Sequence, residues 1–309
     1  MTEFKVTERL MGSQFELIID SEDEGKAQQL LQSGIEEIKR IEDLFSEFRP
    51  HTDTSKINQN AGITPITTHP EVLALIERSI AISALTQGAF DISMGPLKKI
   101  YKFKNDTFNL PEQQAINQAL SLVGYNKIKI NKESRDVFLP KEGMAISFAA
   151  IGKGYAADCV KKQWISKGVT SGVISASGDL TTIGKKADGN NWTIGIANPD
   201  NRADMLFYVP VNDSSVATSG DYEQYFMYDG IRYSHNINPI TGKPVTGIKS
   251  VSVFSPAAEL SDALATAIYI MGIDAGLHLI NQLPDTHCII IDHQKTVTHS
   301  KKMSFHHEN

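Results

Sequence analysis

The apolar positions of this chain recur with two periods, and the change of period divides it into elements. Residues 15–19 (FELII) form an apolar run of strand length. Residues 26–48 then carry Leu30, Leu31, Ile35, Ile38, Ile41, Leu44, Phe45 and Phe48 at helical spacing. That pattern predicts an amphipathic helix running up to Arg49-Pro50, where proline opposes continuation. The following segment, with Ser55 and Asn58, is polar. Val72, Leu73, Leu75, Ile76, Ile80 and Ile82 predict a second helix over 70–86, closed by Gly88. Residues 111–123 read as a third, with proline in the first turn. Residues 127–130 and 137–139 flank a polar connection and predict a hairpin.

A helix from Gly152 to about Ser166 comes next, and from there to residue 254 the chain is mostly strand-like. The runs are 172–175, 192–197, 206–211, 215–218, 225–228 and 250–254. Helices over 261–271 and 275–283 and a short buried strand over 288–291 complete the series. Strands and helices come in runs, not in strict alternation, which predicts an α+β fold over a doubly wound sheet.

Composition narrows the class. The chain has 309 residues, 41% hydrophobic and 21% charged, enough for a sizeable core. No linker-like stretch or repeat divides it, so one domain over 1–309 is expected. A net charge of −6 without a basic run argues against nucleic acid as a partner. Lys98-Lys99 and Lys301-Lys302 read as solvated surface. Cys159 and Cys288 read as small core residues, too few to hold a metal by thiolates. No apolar run approaches the ~20 residues of a membrane helix. Residues 1–15 carry no apolar leader or lipid-attachment cysteine, so the chain as written is expected in the cytoplasm, or in the periplasm if an export signal was removed.

Candidate chemistry centres on 147–158 (SFAAIGKGYAAD), where glycines flank Lys153 at a helix start. A helix N-terminus offers free N–H groups and a positive dipole end to an anion such as phosphate. The spacing is not that of a Walker loop. Asp262 and Thr266 are four apart in a helical segment, so their oxygens can share a face. Such a pair suits Mg²⁺, and equally an acid complementing a helix dipole beside a routine threonine. His235 offers an imidazole able to take a proton near neutral pH. Asp179 and Asp221 each follow Ser-Gly; the first reads as holding a turn, the second as an alternative proton acceptor.

Taken in order, Met11-Gly12-Ser13, 45–58, 88–91 (GAFD), 147–158, 175–180 (SASGDL), 217–222 (ATSGDY), 234–245 (SHNINPITGKPV) and 261–266 (SDALAT) resemble the ApbE family, over about 11–271. These are flavin transferases that move FMN from FAD onto a protein hydroxyl. The resemblance implies a T-fold-like α+β domain with mixed or antiparallel sheets. It implies Mg²⁺ held by Asp262, Thr266 and the Ala150 carbonyl. It implies FAD, as substrate, bound by Met11, Phe48, Ala89-Phe90-Asp91, Ser147, Lys153 and Ile237. Phe48 stands where relatives often have Tyr, Ser147 where some have Asp, and Asn238 where Asp is common. The implied reaction is attack of a Ser or Thr hydroxyl of an acceptor flavoprotein subunit on the FMN-side phosphorus, with loss of AMP. His235, Lys153 and Asp221 are the candidate catalytic residues. The alternatives are metal-dependent hydrolysis of FAD to FMN and AMP, and flavin storage without turnover.

Overall fold

The computed structural model describes residues 1–101, 110–221, 225–228, 231–301 and 303. Strand β1 (Thr2–Leu10) turns at Met11 and Gly12, with φ of 51° and 74°, into β2 (Ser13–Ser21). Phe15, Leu17 and Ile19 alternate inward on β2, while Ile18 faces the other side of the sheet. Helix α1 (Glu24–Phe45) starts where the Asp23 carboxylate accepts from Lys26 N at 2.9 Å. It ends three residues short of the apolar pattern. The Thr52 hydroxyl donates to the Ser46 carbonyl at 2.6 Å, drawing the chain off the helix axis, and Phe48 falls outside.

The short α2 (Asp53–Gln59), capped by Thr52, occupies the polar segment. After β3 (Ile66–Thr67) come α3 (Pro70–Leu85), α4 (Gly95–Ile100) and α5 (Gln113–Leu122). Then β4 (Lys129–Asn131) and β5 (Asp136–Phe138) form the predicted hairpin and pair with β3. Helix α6 (Gly152–Ser166) leads into β6 (Gly172–Ala176), β7 (Asp179–Ile183), β8 (Trp192–Asn198), β9 (Asn201–Val211) and β10 (Ser215–Gly220). The hairpin β11 (Tyr225–Tyr228) and β12 (Ile231–Ser234) precedes β13 (Ile248–Ser255), α7 (Ala258–Met271), α8 (Ile273–Ile280), β14 (His287–Asp292) and β15 (Val297–His299).

The main sheet has eight strands in the order β1-β2-β6-β7-β10-β13-β14-β15, and every pairing is antiparallel. The fold is α+β. Helices α1, α6 and α7 pack on one face through Leu31, Ile35, Val160 and Trp164. The β8–β9 hairpin covers the other face with Trp192, Ile194, Val209 and Val211. No helix among the described residues is long and apolar enough to cross a membrane.

Strand β7 escapes the apolar pattern for a physical reason. Its Thr181 and Thr182 are buried, with hydroxyls bonded to Ser215 Oγ at 2.8 Å and to the Ser214 carbonyl at 3.1 Å. Hydroxyl pairing satisfies the strand where apolar packing would otherwise mark it. The exposed edge strands β1 and β15 are likewise half polar.

Two close approaches fix the helical layer. At Gly34 a Cβ would stand 2.6 Å from Leu17 Cδ2 and 3.1 Å from Trp164, so α1 seats directly on β2 and α6. At Gly154 a Cβ would meet the Ala258 carbonyl oxygen at 2.3 Å, so α6 crosses the start of α7 backbone to backbone. Gly152 has no such constraint; its nearest neighbours would lie at 3.5 and 3.6 Å. Gly154→Ala is therefore expected to cost about 1–3 kcal/mol in urea denaturation, and Gly152→Ala to stay within about 0.5 kcal/mol. Equal midpoints for the two variants would contradict a tight α6–α7 crossing.

Candidate active site

The cleft lies where that crossing meets the edges of β7 and β10. Asp262 and Thr266 sit one turn apart on α7, and both line it. Asp262 is only 6% exposed, and its Oδ2 lies 3.4 Å from the Gly154 N–H at the start of α6. The positive end of α6 thus faces this carboxylate. Thr266 Oγ1 and Ser219 Oγ are 3.2 Å apart, and Ala150 occupies the same wall. A carboxylate, a hydroxyl and a main-chain carbonyl make a hard-oxygen donor set fitting a divalent cation of the Mg²⁺ type.

Asp158 is what places α7. Its two carboxylate oxygens accept from Ala258 N and Glu259 N, each at 2.9 Å, capping α7 from the neighbouring helix. Burial pushes its pKa up to about 6, against the pull of those two amides. The sequence pattern contains Asp158 at the end of its central stretch but gives no sign of this role, because the partner amides lie a hundred residues away.

Lys153 emerges beside Gly154, and its ammonium stands 2.5 Å from Asp179 Oδ2. Asp179 also accepts from Thr218 N at 3.2 Å. The expectation that Asp179 holds a turn is corrected: backbone at Ser177 and Gly178, with φ of 54° and 107°, makes the turn, and the carboxylate pairs with Lys153. Asp91 lines the cleft with both oxygens engaged, Oδ1 by Ser93 N and Oγ at 2.7 Å and Oδ2 by Tyr125 N at 2.8 Å. Burial raises its pKa, and those bonds oppose the rise. Ala89 and Phe90, both buried, stand with it in the wall.

The opposite lip is the segment after β12. His235 and Ile237 line the cleft, and Ile237 is anchored among Leu97, Tyr101 and Ala119. Asn238 Oδ1 accepts from Ile240 N at 2.8 Å and Thr241 N at 3.2 Å, forming an Asx turn. That turn closes on Gly242, whose carbonyl accepts from the Tyr101 hydroxyl at 2.7 Å. Asn at 238 therefore serves the turn as an Asp would.

Three residues of the expected set lie outside the cleft wall. Met11 packs at the α6 start beside Gly152, Phe48 is 87% exposed, and Asp221 is buried with its carboxylate 3.5 Å from His293 Nε2. Tyr222, at the end of the same motif, lies outside the described residues. Lys98 is exposed, as expected for the Lys98-Lys99 pair, and it also lines the cleft and donates to Ser147 Oγ at 3.3 Å. Ser147 in turn donates to Glu47 Oε1 at 2.9 Å. Glu37, Glu71 and Cys159 also cluster, but on another face, where Arg40 bonds both carboxylates.

Counted together, the wall holds three carboxylates, Asp91, Asp179 and Asp262, against two ammonium groups, Lys98 and Lys153. The cleft encloses about 140 Å³ and opens to solvent at its mouth. Fold and site together are those of an α+β protein whose cleft is lined by carboxylates, hydroxyls and two lysines. A sequence profile of the ApbE family matches residues 11–290, and the chain belongs to that family. A Klebsiella pneumoniae protein named FAD:protein FMN transferase is 31% identical over 290 residues, covering 93% of this chain and 89% of its own. A Vibrio cholerae protein of the same name is 29% identical over 254 residues, covering 80% and 75%. The crystal structure of the ApbE protein of Thermotoga maritima matches with a TM-score of 0.89 at 28% identity, over 97% of each chain. The apo flavinyl transferase ApbE of Pseudomonas stutzeri matches with 0.84 at 27% identity, over 97% of this chain and 95% of its own.

The cap at Asp158 gives a pH-dependent signature. Its pKa is about 6 in the fold and about 3.9 in an unfolded chain, so between those values the native state holds the extra proton. Its contribution to stability is present in full below pH ~4 and lost as pH rises through ~6. Urea midpoints from pH 4 to 7 for wild type and Asp158→Asn should show the wild type losing ground to the variant as pH rises. Parallel profiles would mean that the carboxyl titrates at its ordinary value.

Proposed function

We propose that this protein is a divalent-metal-dependent FAD:protein FMN transferase, joining FMN from FAD to a Ser or Thr hydroxyl of an acceptor protein and releasing AMP. As a member of the ApbE family it is a transferase. The observation that supports the finer reading is that Asp262, Thr266, Ala150 and Lys153 all line one cleft. An excess of negative side chains there would repel a diphosphate, so the ligand's charge calls for a cation in the same cleft. Asp262, Thr266 and the Ala150 carbonyl are the residues that would hold Mg²⁺. When bound, Mg²⁺ supplies Lewis-acid polarisation of the diphosphate oxygens and offsets their charge.

The chain's own residues do the rest by positioning. Lys153, oriented by Asp179, presents a cation to the diphosphate. Ala89, Phe90 and Ile237 offer apolar surface to a planar ring. His235, on the lip, accepts the proton of the incoming hydroxyl as its oxygen bonds to the FMN phosphorus. The P–O–P bridge breaks there, and AMP leaves with the bonding electrons.

Incubation with FAD, Mg²⁺ and an acceptor flavoprotein subunit should produce a fluorescent acceptor band on a denaturing gel and a mass gain equal to bound FMN. AMP release without a mass gain would favour hydrolysis; neither product would favour storage. Asp262→Ala is expected to abolish turnover in a protein that still folds. Near-normal AMP release in that variant would remove the metal assignment. His235→Asn should slow transfer ~10²–10⁴-fold with FAD affinity changed less than about tenfold. Affinity lost in step with rate would make His235 a binding residue.

A further inference from the structure

Lys153 has its charge matched by a carboxylate at salt-bridge distance, whereas Lys98, the other cation of the cleft, has a different setting. Among the described residues it donates to a neutral hydroxyl, Ser147 Oγ, at 3.3 Å. The carboxylates that act on it electrostatically are Glu47, behind Ser147, and Asp262, on the metal-ligand wall. Its ammonium therefore sits near both the Glu47–Ser147 pair and the Asp262 carboxylate.

The position is built into the backbone. Lys98 leaves the short helix α4, and a Cβ at Gly95 of that helix would meet Ala145 Cβ at 2.6 Å and its carbonyl oxygen at 2.9 Å. That approach clamps α4 against the segment leading to Ser147, whose amide bonds to the Ile92 carbonyl at 2.8 Å. Ser147 Oγ is itself consumed: it donates to Glu47 at 2.9 Å and accepts from Lys98 and from Ala149 N at 3.4 Å. Ser147 thus acts as a bracket that aims Lys98, and the ligand-facing group of the cluster is the ammonium. Lys98 is exposed to solvent where it lines the cleft, so its ammonium can meet an anionic ligand there.

We propose that Lys98 binds the diphosphate of the dinucleotide substrate, and that Glu47, acting through Ser147, holds and partly neutralises it. This assignment rests on the flavin-dinucleotide reading of the cleft. A charge-assisted bond to phosphate predicts that Lys98→Met weakens FAD binding roughly ten- to a hundredfold, read by calorimetry in Mg²⁺. Lys98→Arg, which keeps the charge, should retain most of the affinity. Glu47→Gln keeps an acceptor for Ser147 but removes the competing carboxylate, so it should bind FAD more tightly than wild type, the opposite direction.

Thermal melts accompany each titration. FAD affinity in Lys98→Met equal to wild type overturns the assignment, as does an equal loss in the Met and Arg variants with lowered melting temperatures, which would make Lys98 a packing residue. If Lys98→Met does not fold, Glu47→Gln decides: tighter binding supports the assignment, and unchanged or weaker binding overturns it. A wild type that binds no FAD sinks the flavin reading and this assignment together. A wild type that binds, with Lys98→Met binding equally, sinks the assignment alone.

Discussion

The backbone contact between α6 and α7 is the constraint on which the site depends. Gly154 lets the two helices touch, and Asp158, one turn further along α6, ties down the first amides of α7. With that crossing fixed, Asp262 is aimed at the α6 N-terminus, and Lys153 emerges at the junction toward Asp179. A shift of either helix would separate Lys153 from Asp262, two groups that on the proposed reading act on one diphosphate. The Gly-Lys-Gly stretch therefore has two functions: the lysine serves the cleft, and the second glycine serves the scaffold. Preorganisation of this kind is what phosphoryl transfer needs, since the enzyme contributes position and charge and little covalent chemistry.

Charge in the cleft is poised, not neutral. Carboxylates outnumber ammonium groups in the cleft lining, and on the proposed reading a cation offsets that excess when a dianionic ligand binds. The two lysines differ in setting, one paired directly with a carboxylate and the other bracketed by a hydroxyl. On the opposite lip, the Asx turn at Asn238 and the Tyr101–Gly242 bond hold the His235 segment against α4 and α5. Apolar anchoring of Ile237 keeps that lip in place while leaving the imidazole at the cleft surface.

Residues carried on long periodic elements were legible in the sequence, and those held by distant partners were not. Asp262 and Thr266 share a helix face by spacing alone, and the α6 boundaries follow from its pattern. Phe48 has the right period for α1, but a hydroxyl-to-carbonyl bond from Thr52 ends the helix first, leaving the ring exposed. Asp179 sits in a polar strand stabilised by threonine hydroxyls, a pattern that apolar periodicity does not register. Lys98 belongs to a Lys-Lys pair that looks like ordinary surface; its juxtaposition with Ser147 across 49 positions is visible only in the fold. Strand count and the antiparallel order of the main sheet also depend on pairings between distant segments.

On the proposed reading, one cleft brings the metal and the diphosphate together. The most direct test of that reading is diffraction from crystals grown with FAD and Mn²⁺, with anomalous data collected to locate the manganese. An anomalous peak is expected bounded by the Ala150 carbonyl, Asp262 and Thr266, with the FAD diphosphate beside it and Lys153 in contact. Manganese at a different site, or a diphosphate bound away from the α6–α7 crossing, would contradict that reading.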